Sequence, residues 1–272
     1  MKKTSELLGY PADARLIIIN IDDYGFCYTA NESAIATLKN GVASSLTIMM
    51  PCPWSIHGLK LLKENPDISF GVHLTAISEH EMFRWGPLCP REKVPGLVDR
   101  DGRFPLEDER DRLIREAPVN ELEVEFRSQI ESVLAAGLSP THLDSHCNIH
   151  DCRDDILEMT VALAGEYGLA LRVHNPAQID VLKEKGFAVI DYPDLDSFRL
   201  PTEGKADLYE KLLRELPEGL SEWAVHPARE TDELKAITPE WPVRAADFDF
   251  FNSERARRVI AEEGIQIVKY DL

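Results

Sequence analysis

Short, nearly continuous apolar runs alternate with amphipathic stretches along most of the chain. The run at residues 15–21 (RLIIINI) is apolar at almost every position. Strands buried on both faces, as in parallel sheets, read this way. Further strands are predicted at 45–50, 69–74, 141–145, 170–173, 187–190, 219–225 and 265–268. Helical spacing predicts helices between them. Residues 31–40 place Ala34, Ile35 and Leu38 on one face before Gly41, and residues 54–64 stop at Asn65-Pro66. Residues 120–136 carry Leu122, Phe126, Ile130 and Val133 at helical spacing, and residues 154–167 end at Gly168. Helices are also predicted at 179–185, 206–216 and 248–263.

Strand-then-helix units repeated without a linker or an internal repeat give a parallel sheet with helices outside it. The predicted fold class is α/β, a distorted (β/α) TIM-like barrel of about seven strands, with residues 1–272 as a single catalytic domain. An open doubly wound sheet is the alternative, which periodicity does not separate from the barrel. Residues 75–118 interrupt the alternation. They hold Trp85, Pro87, Pro90, Pro95, Gly96, Gly102 and Pro105, and the expectation is an irregular lid-like insertion. Trp85 would either stack on a ligand or pin the loop to the core.

Composition narrows the partners. The net charge of -18 repels phosphate backbones, so nucleic acid is not expected. The five cysteines show no disulfide spacing. No apolar stretch is long enough for a signal peptide or a membrane span, so the expectation is a cytoplasmic protein without membrane contact, a homodimer being left open.

Candidate chemistry collects at the C-terminal ends of predicted strands. Asp22 and Asp23 follow the first, His73 ends the third, His146 follows THLDS, and His226 follows SEWAV. In a parallel barrel these ends open on one face, which carries the active site. Two histidines and a carboxylate suit a divalent ion with open positions. Successive strand side chains alternate, so one aspartate of the pair can bind an ion while the other, on a turning backbone, acts as a base. Each piece alone has a plainer explanation: a helix cap for the Asp pair, a packed histidine for His73. His142, Asp144 and His146 alternate onto one side of a strand, with His146 at its mouth, His142 deeper and structural, and His150 able to line the site from the loop beyond. His146, Cys147, His150 and Cys152 could instead form a structural zinc site, though their spacing is too compact for the usual knuckle. No GxSxG, Walker loop or GxGxxG follows the first strand.

The stretch LIIINIDDYGFCYTANESAIATLKNGVASSLTIMM resembles the opening of the YdjC-like carbohydrate deacetylases, including the chitooligosaccharide deacetylases. ISFGVHLT, PTHLDSHCNIH, GLALR and the late AVHP are similar to that family's later segments, in the same order. The resemblance implies a polysaccharide deacetylase-like barrel. It implies a divalent metal ion, Zn²⁺ or Mg²⁺, on Asp23, His73 and His146. It further implies Asp22 as general base, His226 as general acid or substrate contact, and Arg172 as a substrate-positioning residue. The chain departs from the family where a run of histidines is common (His146-Cys147-Asn148 here) and where His-Pro-Gly is common (His226-Pro227-Ala228 here). The implied activity is removal of N-acetyl groups from an amino sugar or short oligosaccharide. The alternatives are a metal hydrolase acting on another amide or ester, and a non-catalytic sugar-binding protein. Retention of Asp22 speaks against the last, since binding needs no base.

Overall fold

In the computed structural model, residues 3–184 and 187–270 are described. Eight strands form one parallel sheet: β1 (Arg15–Tyr24), β2 (Ser45–Ile48), β3 (Phe70–Leu74), β4 (His142–Ser145), β5 (Ala170–Leu171), β6 (Leu195–Asp196), β7 (Gly219–Val225) and β8 (Gln266–Ile267). The order is β5-β4-β3-β2-β1-β7-β6, and β8 pairs with the start of β1. The sheet curls into a half-barrel whose two ends, β5 and β6, do not pair with each other among the described residues.

β1 is the axis of the molecule. Leu16 to Ile19 and Ile21 are each at most 1% exposed. Ile17, Ile19 and Ile21 pack into the larger core, under the helices Tyr28–Asn40, Ser55–Glu64 and Val119–Ala135. Leu16 and Ile18 pack on the other face against Val173, Val189, Ile190 and Leu220. This two-sided burial is why the run reads as continuously apolar. Gly71 in β3 is a packing requirement, since a Cβ there would stand 2.4 Å from the His142 carbonyl oxygen and 2.8 Å from its ring.

Two polar residues on the buried face of Val119–Ala135 tie down the long stretch after β3. Glu125 accepts from the Leu88 and Cys89 amides, and Gln129 bonds both the amide and the carbonyl of Thr75. Trp85 is the pin: it is 2% exposed, donates Nε1–H to the Ile77 carbonyl at 2.8 Å, and meets Phe26 edge-on. It cannot stack on a ligand from there. The stretch is also less irregular than expected, holding three 3-10 turns and the helix Arg110–Glu116.

Other boundaries differ from the sequence reading. Residues 187–190 are not a strand; the pairing segment is β6, which gains its strand character from β7. The helix expected at 248–263 is two helices, Trp241–Phe251 and Glu254–Glu262. Ser253 breaks them by capping the second, its side chain accepting the Ala256 amide. The helix expected at 179–185 is Pro176–Glu184, and Lys185 lies outside the described residues. No helix among the described residues is long and apolar enough to cross a membrane.

Candidate metal centre and active site

β1 ends in a break of regular pairing. Its register against β2 shifts between Ile21 and Tyr24, and Asp23 adopts φ 61, a conformation that costs a non-glycine residue energy. The turn is held from outside, with Asn31 Oδ1 accepting the Gly25 amide and the Asp23 carbonyl accepting that of Phe26. Two adjacent aspartates thereby reach the same cavity of about 240 Å³, which also receives His73, His146 and His226.

Asp23 Oδ1 lies 3.5 Å from His73 Nε2 and 3.3 Å from His146 Nδ1, while Oδ2 accepts from Arg244 at 2.7 Å. One donor atom from each of Asp23, His73 and His146 lies within 4.8 Å of the others. Asp23 Oδ1 is buried and has no hydrogen-bond partner among the described residues, which a protein seldom leaves uncompensated. His73 Nδ1 meets Asp144 Oδ1 at 2.7 Å. That contact occupies Nδ1 and leaves Nε2 as the nitrogen that faces Asp23. The group fits a divalent cation.

Electrostatics keep the acids ionised. Burial would raise the Asp23 carboxyl, but the Arg244 charge and the two histidines hold it well below the usual carboxylate range. Burial likewise opposes ionisation of Asp144, and His73 and Arg172 overcome it. For His73 burial lowers the pKa, yet Asp144 carries it up to about 9.

Asp22 reaches the cavity from the same turn but is held by other partners. Arg172 grips it with both terminal nitrogens, at 2.7 and 2.9 Å, and Asn20 donates to Oδ1 at 2.8 Å. Arg172 also meets Asp144 at 2.9 Å and Glu222 at 2.6 Å and is 2% exposed. Its N–H groups are spent on three carboxylates, and it does not line the cavity. The contacts support a residue that holds Asp22 and Asp144 in place, rather than the substrate contact the resemblance implies. The backbone N–H of His226, just after β7, donates to Asp247 Oδ2 at 2.8 Å, and the His226 Nδ1 pairs with Ser197 Oγ at 2.9 Å. Its ring lies against Phe198, and its free edge is left for the cavity it lines.

His142 and His150 lie apart from this group. His142 is deep in the half-barrel, stacked on Tyr270 with 3.8 Å between ring centroids. His150 does not line the cavity, because its two nitrogens are taken by Ser145 and the Arg172 carbonyl, both at 2.6 Å. That also dissolves the four-residue zinc site considered above, since Cys152 turns to Arg110 and the Asn148 carbonyl.

Sequence reasoning missed Glu79, Glu107, Asp196, Glu240 and Arg244, which all line the cavity. Arg244 left a trace: it shares the buried face of its helix with Val243, Asp247 and Phe251, where an arginine needs a partner. Glu79 sits in the long stretch after His73, where no periodicity marks it.

Comparisons with known proteins agree on the family. The model of the family described as YdjC-like protein matches residues 16–262. A carbohydrate deacetylase of Brevibacillus brevis is 30% identical, covering 93% of this chain and 98% of the relative. A crystal structure from Enterococcus faecalis V583, provisionally named a cellobiose-phosphate cleavage protein, is 27% identical. It superposes with a TM-score of 0.80 over 95% of this chain and 98% of that one. A mutant CE4 family pseudoenzyme with restored activity, from Bacillus anthracis, shares the fold alone. It is 10% identical, with a TM-score of 0.50 over 94% of this chain and 65% of that one.

Proposed function

The chain belongs to the YdjC-like family, and from that we propose that it is a metal-dependent hydrolase that removes N-acetyl groups from an amino sugar or short oligosaccharide. The observation that carries this reading is the convergence of Asp23, His73 and His146, with an unpartnered Asp23 oxygen, beside a second, separately held carboxylate.

A divalent ion, Zn²⁺ or Mg²⁺, held by Asp23, His73 and His146 would supply Lewis acidity to the acetyl carbonyl and to the attacking water. The remaining work falls to the protein. Asp22, oriented by Arg172 and Asn20, takes the proton from the water as it attacks. His226, steadied by Ser197, delivers a proton to the departing sugar nitrogen. Asp144 keeps the His73 ring turned to its task.

The cavity favours an uncharged sugar. Asp22, Asp23, Glu79, Glu107, Asp196 and Glu240 line it against one arginine. A phosphate would meet carboxylates, whereas the amine released by hydrolysis gains a proton and suits them. Glu79, His80 and Glu107 reach the cavity from residues 75–118, so this stretch acts as a lid that sets substrate size, suiting a mono- or short oligosaccharide.

The test is acetate release by metal-stripped protein with single divalent ions added back, on N-acetylglucosamine, its 6-phosphate, N,N'-diacetylchitobiose and a long polymer. Activity should depend on the added ion and favour the short neutral sugars. Ion-independent release, or none on any N-acetyl sugar, refutes the reading; equal rates on the polymer refute the lid.

A further inference from the structure

His146 presents its two ring nitrogens to two different carboxylates. Nδ1 faces Asp23 Oδ1 at 3.3 Å, and Nε2 faces Glu79 Oε1 at 3.4 Å. The residue is 4% exposed, and Nε2 has no hydrogen-bond partner among the described residues. Glu79 keeps Oε1 available, because its other oxygen is turned to His80 at 3.3 Å and Arg244 at 3.7 Å. Cys147 completes a cluster: one donor atom each from Glu79, His146 and Cys147 lies within 4.8 Å of the others. Adjacent residues of a strand point to opposite faces. Here Cys147 has φ 55, and it lines the same cavity as His146.

We propose that Glu79, His146 and Cys147 form a second cation site in the cavity wall, sharing only His146 with the Asp23, His73 and His146 group and selective for thiophilic ions such as Zn²⁺ and Cd²⁺. It draws on the imidazole nitrogen that faces away from Asp23. Sulfur, nitrogen and oxygen donors together match Zn²⁺ and related ions, while the thiolate disfavours Mg²⁺, a hard ion that prefers oxygen donors. Binding replaces the thiol proton of Cys147, and the proton on His146 Nε2 where it carries one, by the ion and releases them to solvent, the imidazole keeping its other proton on Nδ1 toward Asp23. Three protein donors leave room for water or another ligand from the cavity. The site rests on donor atoms alone and stands or falls independently of the deacetylase reading.

Cd²⁺ alone, titrated into the full-length reduced protein, reads the site through the thiolate-to-cadmium charge-transfer absorption in the ultraviolet. The band is expected in the parent protein, in Cys152→Ser and in Asp23→Asn, and it is lost in Cys147→Ser. Glu79→Gln, which leaves the thiol intact, should weaken the titration at least about tenfold. Circular dichroism checks that each variant is folded. The proposal is overturned if the parent shows no band, if the band survives in folded Cys147→Ser, or if Glu79→Gln titrates like the parent. Loss of the band in Asp23→Asn as well also overturns it, since Cys147 would then serve the ion held by Asp23.

Discussion

Asp22→Asn separates proton transfer from metal binding. In the structure Asp22 Oδ2 accepts from Arg172, and Oδ1 accepts from Arg172 and Asn20. An asparagine can keep its oxygen at the Oδ1 position, but its amide then points N–H groups at an arginine N–H. The structural cost of that unsatisfied contact is about 1–3 kcal/mol, which a domain of this size should survive. The catalytic cost is separate. An amide cannot take a proton from water, and general-base catalysis is worth roughly 10²–10⁴-fold, about 2.7–5.5 kcal/mol in activation free energy. The assay is kcat and KM by acetate release, with metal content by elemental analysis and unfolding by urea, all on one preparation. The expected result is normal metal content, a modest fall in the unfolding midpoint, and kcat down by at least about a hundredfold with KM little changed. A kcat within a few fold of the parent's would remove Asp22 from the chemistry. A parallel loss of metal would mean that Asp22, not only Asp23, belongs to the ion's ligand set.

Three further outcomes are expected. His226→Gln should lower kcat by roughly 10²-fold or more and remove one limb of the pH–rate profile; an unchanged profile leaves His226 no acid role. Burial holds His142 neutral, down to about 3 against an ordinary 6.5. The unfolded chain therefore takes up a proton below pH 6.5 that the folded protein refuses until near pH 3, so stability falls as pH drops through that window, by up to several kcal/mol. Urea midpoints between pH 7 and pH 4 should decline less steeply in a folded His142→Gln variant, and an identical slope would contradict the assignment. Gly71→Ala forces a methyl group to within 2.4 Å of the His142 carbonyl oxygen. It should cost more than about 3 kcal/mol or abolish soluble expression, and a near-normal melting temperature would show that β3 and β4 can part at no cost.

The long apolar run of β1, the helix at Val119–Ala135 and the Asp, His and His positions at strand ends were legible because each is encoded locally, by periodicity or by position after a run. β5, β6 and β8 are two residues each, and such segments become strands through their neighbours rather than by their own composition. Ser253 hid as a polar residue inside a helical pattern until its cap was visible. For the candidate site, residue type and place brought forward Asp22, Asp23, His73 and His146, and the family resemblance singled out Asp23 of the pair, while the task of Arg172 depends on Asp22, Asp144 and Glu222, which are 150, 28 and 50 positions away in the chain. Glu79 and Arg244 meet across the cavity from segments that carry no shared signal.

The contacts of Arg172 have a mechanical consequence. It follows β5 at one end of the sheet, and it bonds side chains from β1, β4 and β7, the last of which carries the other end strand, β6. Where backbone pairing stops short of closing the half-barrel, one guanidinium spans the gap as a tie-rod. Any breathing of that seam pulls on the carboxylate assigned to proton transfer. Warming should thus quench turnover below the temperature at which the protein melts, and deuterium uptake along β5 should rise in step with the loss.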